Sequence, residues 1–567
     1  MSNSLERDKR FFSVLLVLLL AYAAAVALTL TGKYPWHDEI TTLRDSRQSF
    51  SHLVQTYYTH KGYILAAKIS TSIFGESWTA LRLPSIVMGG LTIAAVYWLG
   101  TLLYRRSVGI VAAAYLLLHP NFLFHSTDAR GYQGACLFSI LAAGFIWRGL
   151  SEVKVLDCVL AAICLFLGLM MQPAGALTYP GMAVVAVILI AQSFRSRREE
   201  ERTKKTKLIW LLTISFIVAL VLIGPRIRAY LSWDTLLIPS RFASEAGAGE
   251  TPSGGPLRSL EGWRIQFAPL ISAELHTGGI VSFGWFLILA ALISSWREKR
   301  LQTLLLFLSV MTPFAFFFFY NPPFLVHRYL YCTTPFAILL VVYGAFSIGE
   351  WIGQFFRAPK RRWIRRGAEG LLIASLVFSC WGPFRAEVAY SEYGSTWMVP
   401  VAELAEADFM QETRLVLVDE KPLWRDQLEM LGVPEDRLDY YQPSKEGGYE
   451  PLLNRLDSNT WVVLKAYSQD PELQGALRKQ GCIELRIEQG LFYLPPSDLD
   501  GDSQSSRFLM AVEYLDQNFR LDFRFEYSVA QVLKAHGKED LAKPYEARAM
   551  EGMAEINRWD YPRTFGA

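Results

Sequence analysis

The sequence predicts a polytopic α-helical membrane protein with a folded segment appended at its C-terminal end. Hydrophobic residues make up 52% of its 567 positions and charged residues only 19%, below the roughly 25% usual in soluble domains. Eleven apolar runs are long enough, or nearly so, to cross about 30 Å of hydrocarbon as helices. Among the short connections between those runs, Lys and Arg are concentrated in every second one. This composition excludes a disordered chain, a collagen-like fibre and a disulfide scaffold. A net charge of +3 gives no reason to expect a nucleic-acid partner. The six cysteines form no Cys-x-x-Cys pair, so neither a zinc site nor a disulfide framework is suggested.

The runs fall at about 11–31, 83–103, 108–125, 131–147, 155–171, 176–193, 208–224, 279–296, 301–320, 329–351 and 368–383. The first is too long, and lacks a small-residue cleavage site, to read as a signal peptide. Connections on one side read ERDKR, YRRS, WRGLSEVK, FRSRREEERTKKTK, WREKR and FRAPKRRWIRR, with 23 Lys and Arg residues. Short connections on the other side read HSTDARGYQ, QPAG and NPPFLVHR, and their cations are Arg130 and Arg328. By the positive-inside rule the N-terminus is cytoplasmic and everything after about 384 is extracytoplasmic, which predicts a multi-pass protein of the plasma (inner) membrane.

Three long segments then lie outside: loops 32–82 and 225–278, and the tail. The second loop holds EAGAGETPSGGP, which reads as a mobile lid or disordered tip. The predicted domains are 1–384, transmembrane; 385–500, a small α/β domain; and 501–567, a helical appendage. Within the α/β domain RLVLVDE, TWVVLKAY and CIELRIEQGLFYL read as strands. The segment YSVAQVLKAHGKEDLAKPYEARAMEGMAEI has the spacing of one helical hairpin, which needs a neighbour to bury its apolar face.

Three polar motifs sit where outer connections meet the membrane. Lys33-Tyr34-Pro35-Trp36-His37-Asp38-Glu39-Ile40 follows the first run. A carboxylate there can serve as a general base or ligate a divalent cation; it can also simply start a helix. His119-Pro120-Asn121-Phe122-Leu123-Phe124-His125-Ser126-Thr127-Asp128-Ala129-Arg130-Gly131-Tyr132 forms the tightest outer connection. Its Arg130 can grip a phosphate with two parallel N–H donors, or pair locally with Asp128. Asn321-Pro322-Pro323-Phe324-Leu325-Val326-His327-Arg328-Tyr329-Leu330 again places one Arg outside, for a phosphate ligand or for a lipid headgroup. His37, His125 and His327 share this face with Asp38, but no His-x-x-x-His spacing supports a dedicated metal site.

In order and placement these motifs resemble the GT-C glycosyltransferases of the protein O-mannosyltransferase and lipid A aminoarabinose transferase group, those like glycosyltransferase family 39. The likeness spans about 11–385 and is greatest in HPNFLFHSTDARGYQGACLFSILAAG and HRYLYCTTPFAILL. It implies eleven to thirteen transmembrane helices, with amphipathic helices in the first outer loop. It also implies transfer of a sugar from a polyprenyl-phosphate carrier to a lipid, glycan or protein hydroxyl on the outer face. Carried over, Asp38 is the candidate base and Glu39 its helper. Arg130, Tyr132, Arg328 and Tyr329 are candidates for the donor phosphate, and Asp128 for a second carboxylate or a partner of Arg130. A divalent cation is a possible cofactor, with His37, Asp38 and His327 its candidate ligands. Two departures stand out. Many relatives carry a Lys where this chain has Gln172-Pro173-Ala174-Gly175, and the tail does not read as a β-trefoil. Two other readings remain open at this point: a transporter or flippase for the same lipid-linked sugar, and a membrane-anchored scaffold. The absence of an internal repeat and of midplane charge weighs against the transporter.

Overall fold

In the computed structural model the described residues are 2–194 apart from 31, 32, 34, 36 and 56–59; 281–356 apart from 297 and 321–328; 360–390; and 398–559 apart from several short stretches. The expected span 208–224 and the stretch EAGAGETPSGGP therefore lie outside the described residues, as do His327 and Arg328. The chain divides into two compact units. One takes Met1–Leu30, Asp45–Ser244 and Ala248–Val388; the other takes Thr31–Arg44, Glu245–Gly247 and Ala389–Ala567.

The first unit is helical. Its helices among the described residues are α1 Ser2–Leu30, the end of α2 His37–Arg47, α3 Phe50–Gln55, α4 Lys61–Phe74, α5 Trp78–Leu103, α6 Arg106–Leu117, α7 Pro120–Ser126, α8 Tyr132–Ser151, α9 Val155–Met171, α10 Tyr179–Phe194, α11 Val281–Ser295, α12 Arg300–Tyr320, α13 Thr334–Gln354 and α14 Lys360–Tyr390. Five segments among the described residues are long and apolar enough to cross a membrane: Ser13–Leu30, Trp78–Leu103, Tyr132–Ser151, Pro173–Gln192 and Tyr331–Gln354. Shorter apolar helices occupy Val155–Met171, Gly284–Ser295 and Arg300–Phe316. The chain is thus a multi-pass membrane protein.

One expected span needs correction. The run 108–125 is not one helix but two, α6 and α7, bent by 70° at a short break. Pro120 is the cause: its ring disfavours helical geometry at the preceding residue, and His119 takes φ −79°, ψ 121° instead. Pro120 then occupies the first turn of α7, where its missing N–H costs nothing.

Side-chain contacts sort the connections of this unit by end. At the end where α5 leads into α6, Arg105 bonds Glu350 of α13 at 2.6 Å, and Tyr104 meets Thr303 of α12 at 3.0 Å. Arg148, on the last turn of α8, lies over the Trp98 ring of α5 at 5.7 Å and pairs with Asp157 of α9. The connections YRRS, WRGLSEVK, WREKR and FRAPKRRWIRR thus sit at one end of the unit, as their shared basic character predicts. Close helix crossing there depends on small residues: a Cβ on Gly100 would lie 2.7 Å from the Gly109 Cα.

The second unit contains α15 Met398–Glu406 and a five-stranded sheet of order β2-β1-β3-β5-β4. The strands are β1 Arg414–Val418, β2 Leu438–Tyr441, β3 Thr460–Lys465, β4 Ile483–Ile487 and β5 Gly490–Leu494. β1 pairs in parallel with β2 and β3, whereas β5 runs antiparallel to β3 and β4. The stretch CIELRIEQGLFYL is two strands rather than one, antiparallel to each other with Ile483 opposite Leu494 and Ile487 opposite Gly490. β2 is too short and too irregular in its alternation to be read from sequence. Helices α16 Glu450–Leu453 and α17 Pro471–Lys479 lie between the strands, with Leu452, Leu473 and Leu477 packed on Val416, Val462 and Tyr493. Three helices end the unit: α18 Arg507–Asn518, α19 Phe523–Ala535 and α20 Glu539–Trp559. α19 and α20 form the expected hairpin, whose turn places Gly537 at φ 73°, the left-handed region glycine favours. The hairpin is tied to the sheet where the Arg486 N–H donates to Ser528 Oγ at 3.0 Å. A buried Asp498 fixes α18: it accepts from the Trp461 indole at 2.8 Å and pairs with Arg507 at 2.8 Å.

Candidate active site

The opposite end of the helical unit is built around the sharp turn from α7 to α8. Thr127 closes α7 and Tyr132 opens α8, leaving four residues to reverse the chain. The Arg130 N–H donates to the Asp128 carbonyl at 2.8 Å, and the Ser85 hydroxyl of α5 donates to the Arg130 carbonyl at 3.1 Å. These bonds fix where the Arg130 side chain starts. Gly131 is required by space: any Cβ there would stand 1.8 Å from the Met171 carbonyl oxygen at the end of α9. Sequence and packing thus place a cation and a carboxylate on one rigid reversal.

Asp128 is fully buried and Arg130 half-buried. The imidazole of His125, 6% exposed, approaches Asp128 with Nδ1 3.8 Å from Oδ2. Its ring packs 5.1 Å from Tyr132 and 4.2 Å from Tyr331, and His60 lies 5.9 Å from Tyr132 on the other side. A buried hydrogen-bond chain continues from there. The Tyr331 hydroxyl donates to Gln133 Oε1 at 2.5 Å, and Gln133 Nε2 donates to Thr92 Oγ1 at 2.8 Å. A low-dielectric setting strengthens each of these bonds, and each unmade bond would be costly.

Residues 125–133 and the segment that begins at Tyr329 therefore meet in space, although 198 positions separate Gln133 from Tyr331. Tyr329 is half-buried two residues before Tyr331. The connection Gln172-Pro173-Ala174-Gly175 joins the same place: a Cβ on Gly175 would lie 2.9 Å from the Ala135 Cβ and 3.5 Å from the Cys332 sulfur. Small residues, not a cation, fill that position.

Asp38 and Glu39 belong to the other unit, where they stand in the first turn of α2. Acidic side chains there suit the positive end of the helix dipole. Glu39 is wholly buried and Asp38 half-buried, so Glu39 is the deeper of the two. The Asp38 carbonyl accepts the Thr42 hydroxyl at 3.0 Å, a local bond that steadies the turn. Among the described residues, no group of three or more His, Cys, Asp or Glu is placed to hold a metal ion. The His37 side chain lies outside the described residues. His125, grouped with possible metal ligands by sequence, instead sits among aromatic rings beside Asp128.

Several members of this cluster escaped the sequence reading: His60, Ser85, Thr92, Gln133 and Tyr331. Gln133 left a trace, as a polar residue in the first turn of an apolar helix. Thr92 and Ser85 left none, because single hydroxyls are common in membrane helices.

Comparison with known proteins adds an independent line. Residues 62–224 match the profile of a family described as dolichyl-phosphate-mannose-protein mannosyltransferase. No curated protein matches the chain. Among solved structures, ArnT from Cupriavidus metallidurans bound to undecaprenyl phosphate superposes with a TM-score of 0.49 at 13% identity, covering 86% of this chain and 98% of that one. The Archaeoglobus fulgidus oligosaccharyltransferase AglB, in complex with an inhibitory peptide and a dolichol-phosphate, gives a TM-score of 0.48 at 14% identity, covering 88% and 75%. At such identities and scores the likeness carries no functional argument. The profile match spans under a third of the chain, but it contains the reversal with Asp128, Arg130 and Tyr132. Over residues 62–224, the resemblance to GT-C glycosyltransferases read from these motifs is shown by that match.

Proposed function

We propose that the chain is a membrane glycosyltransferase that moves a sugar from a polyprenyl-phosphate carrier to a hydroxyl on a lipid, glycan or protein. The observation that carries this reading is the meeting of the 125–133 reversal with the Tyr331 segment at one end of the helical unit. The reading places that end on the extracytoplasmic face and the basic connections in the cytoplasm.

In this mechanism the carrier phosphate is the leaving group. Its charge grows as the bond from the anomeric carbon to the phosphate oxygen breaks. Arg130, started from a rigid turn, supplies a fixed donor that stabilises this growth, and Arg328 adds a second positive charge. Tyr132 and Tyr329 flank the phosphate. Asp38 accepts the acceptor's proton as the new glycosidic bond forms, and Glu39 holds the turn that presents it. Asp128, buried against His125, keeps the reversal and its arginine in place. Attack from the face opposite the phosphate inverts the anomeric configuration.

The test is mass spectrometry of surface glycans, lipids and proteins from a strain lacking the gene. One species missing a single sugar is the expected result and would identify donor and acceptor together. An unchanged surface with a redistributed pool of lipid-linked sugar would favour a transporter instead.

A further inference from the structure

The basic end of the helical unit carries cations that its own fold does not use. Two arginines there are neutralised. Arg105 lies 2.6 Å from Glu350 and 3.4 Å from Glu369, while Arg365 lies 2.9 Å from Glu369 and 3.7 Å from Glu350. Two arginines thus balance two glutamates. On the same stretch Lys360, Arg361, Arg362 and Arg366 are all exposed, and none makes an ion pair among the described residues. They occupy the first two turns of α14, the end of a helix where the macrodipole disfavours positive charge. Neither intrahelical electrostatics nor packing explains four cations there.

Their surroundings indicate what does. Trp363, in the middle of the cluster, is 76% exposed. Just beyond it α14 turns apolar, and Leu371 is 70% exposed, as a lipid-facing residue would be. A Cβ placed on Gly367 or Gly370 would meet nothing within 4 Å, so none of the described residues covers this side of α14. At the same end Trp296 is 70% exposed, with the Arg300 guanidinium 5.9 Å from its ring. Exposed Trp beside exposed cations, at the start of an apolar stretch, is the chemistry of the boundary between hydrocarbon and headgroups.

We infer that Lys360, Arg361, Arg362 and Arg366, with Trp363 among them, form a binding surface for anionic phospholipid headgroups. The lipid phosphates supply the negative charge that the fold leaves out. Trp363 sets the depth at which they are met. This surface is separate from the candidate active site and does not depend on the proposed reaction.

The test uses the full chain, purified in neutral detergent and mixed with equal amounts of phosphatidylglycerol and phosphatidylcholine. Native mass spectrometry then counts the lipids retained. The wild type is expected to retain phosphatidylglycerol in preference, and to lose that preference at about 1 M salt, where the screening length falls to about 3 Å. Changing Lys360, Arg361, Arg362 and Arg366 to Gln together should lower the preference by roughly several hundredfold, at about fivefold for each of the four cations. Replacing the three arginines by Lys keeps the charge and should keep the preference. Should the fourfold variant fail to fold, the single changes Arg361→Gln and Arg362→Gln read the same effect in smaller steps. Three results would each overturn the inference: no phosphatidylglycerol preference in the wild type, a preference indifferent to salt, or one unchanged in the Gln variants.

Discussion

Arg130 is held by its backbone before any ligand arrives, through bonds to Asp128 and from Ser85. Such pre-organisation is what a phosphate site requires, because less freedom is lost on binding. Arg130→Ala is therefore expected to weaken binding of the lipid-phosphate donor by roughly ten- to hundredfold, the cost of one charge-assisted contact. Arg130→Lys should fall between, since it keeps the charge but loses the planar fork. A donor titration on the purified protein measures both. The carboxylates of α2 separate by burial. Asp38→Asn should lower turnover by roughly 10²–10⁴-fold with little change in melting temperature, the loss of a general base. Glu39→Gln, at a wholly buried position, should show itself first in melting temperature. Equal turnover in Asp38→Asn and wild type would remove Asp38 from the reaction. At this scale Asp128 and Arg130 were legible in the sequence, because a lone Arg in a short connection otherwise poor in Lys and Arg stands out. His60, Gln133 and Tyr331 were not, since only the packing of distant helices gives them a shared purpose.

Among the elements, the reversal from α7 to α8 depends on two residues that carry no charge. Pro120 makes the bend, which sequence analysis read as an uninterrupted span because apolarity continues through it. Gly131 lets the end of α9 close onto the turn. Gly131→Ala drives a methyl group into a backbone carbonyl, and should cost about 1–3 kcal/mol of stability, read from thermal unfolding of the detergent-solubilised chain. A melting temperature equal to wild type would mean that α9 can move aside. In the tail, Asp457 caps the entry to β3, accepting from the Thr460 hydroxyl at 2.6 Å and the Asn459 N–H at 2.9 Å. The Thr460 bond is the largest cause holding its carboxyl below the ordinary range, with the Asn459 N–H adding to it. A lowered folded-state pKa adds stability above the unfolded value, near 3.9, and loses it as pH falls through the folded one. Protection of the β3 amides against hydrogen exchange, relative to intrinsic rates, should therefore decline below about pH 4. Asp457→Asn should flatten that decline. Three strands of this sheet were legible from apolar alternation. β2 was not, because four residues on an edge need no pattern of their own.

As a whole, the molecule has one helical unit with two chemically different ends. One gathers the basic connections; the other gathers the buried polar cluster around Asp128. The sequence already separated them, through the bias of Lys and Arg, and contacts such as Arg105 with Glu350 agree with that separation. The sugar and the acceptor were not legible. In the proposed function the 125–133 reversal serves transfer from a lipid phosphate. The most direct measurement supplies the purified chain with a polyprenyl-phosphate-linked sugar and an extract of surface acceptors, and follows release of free polyprenyl phosphate. Release is expected to depend on acceptor and to fall at least tenfold in Arg130→Ala and Asp38→Asn. Release at the wild-type rate in both variants, or none from the wild type with any lipid-linked sugar, would contradict the proposed function.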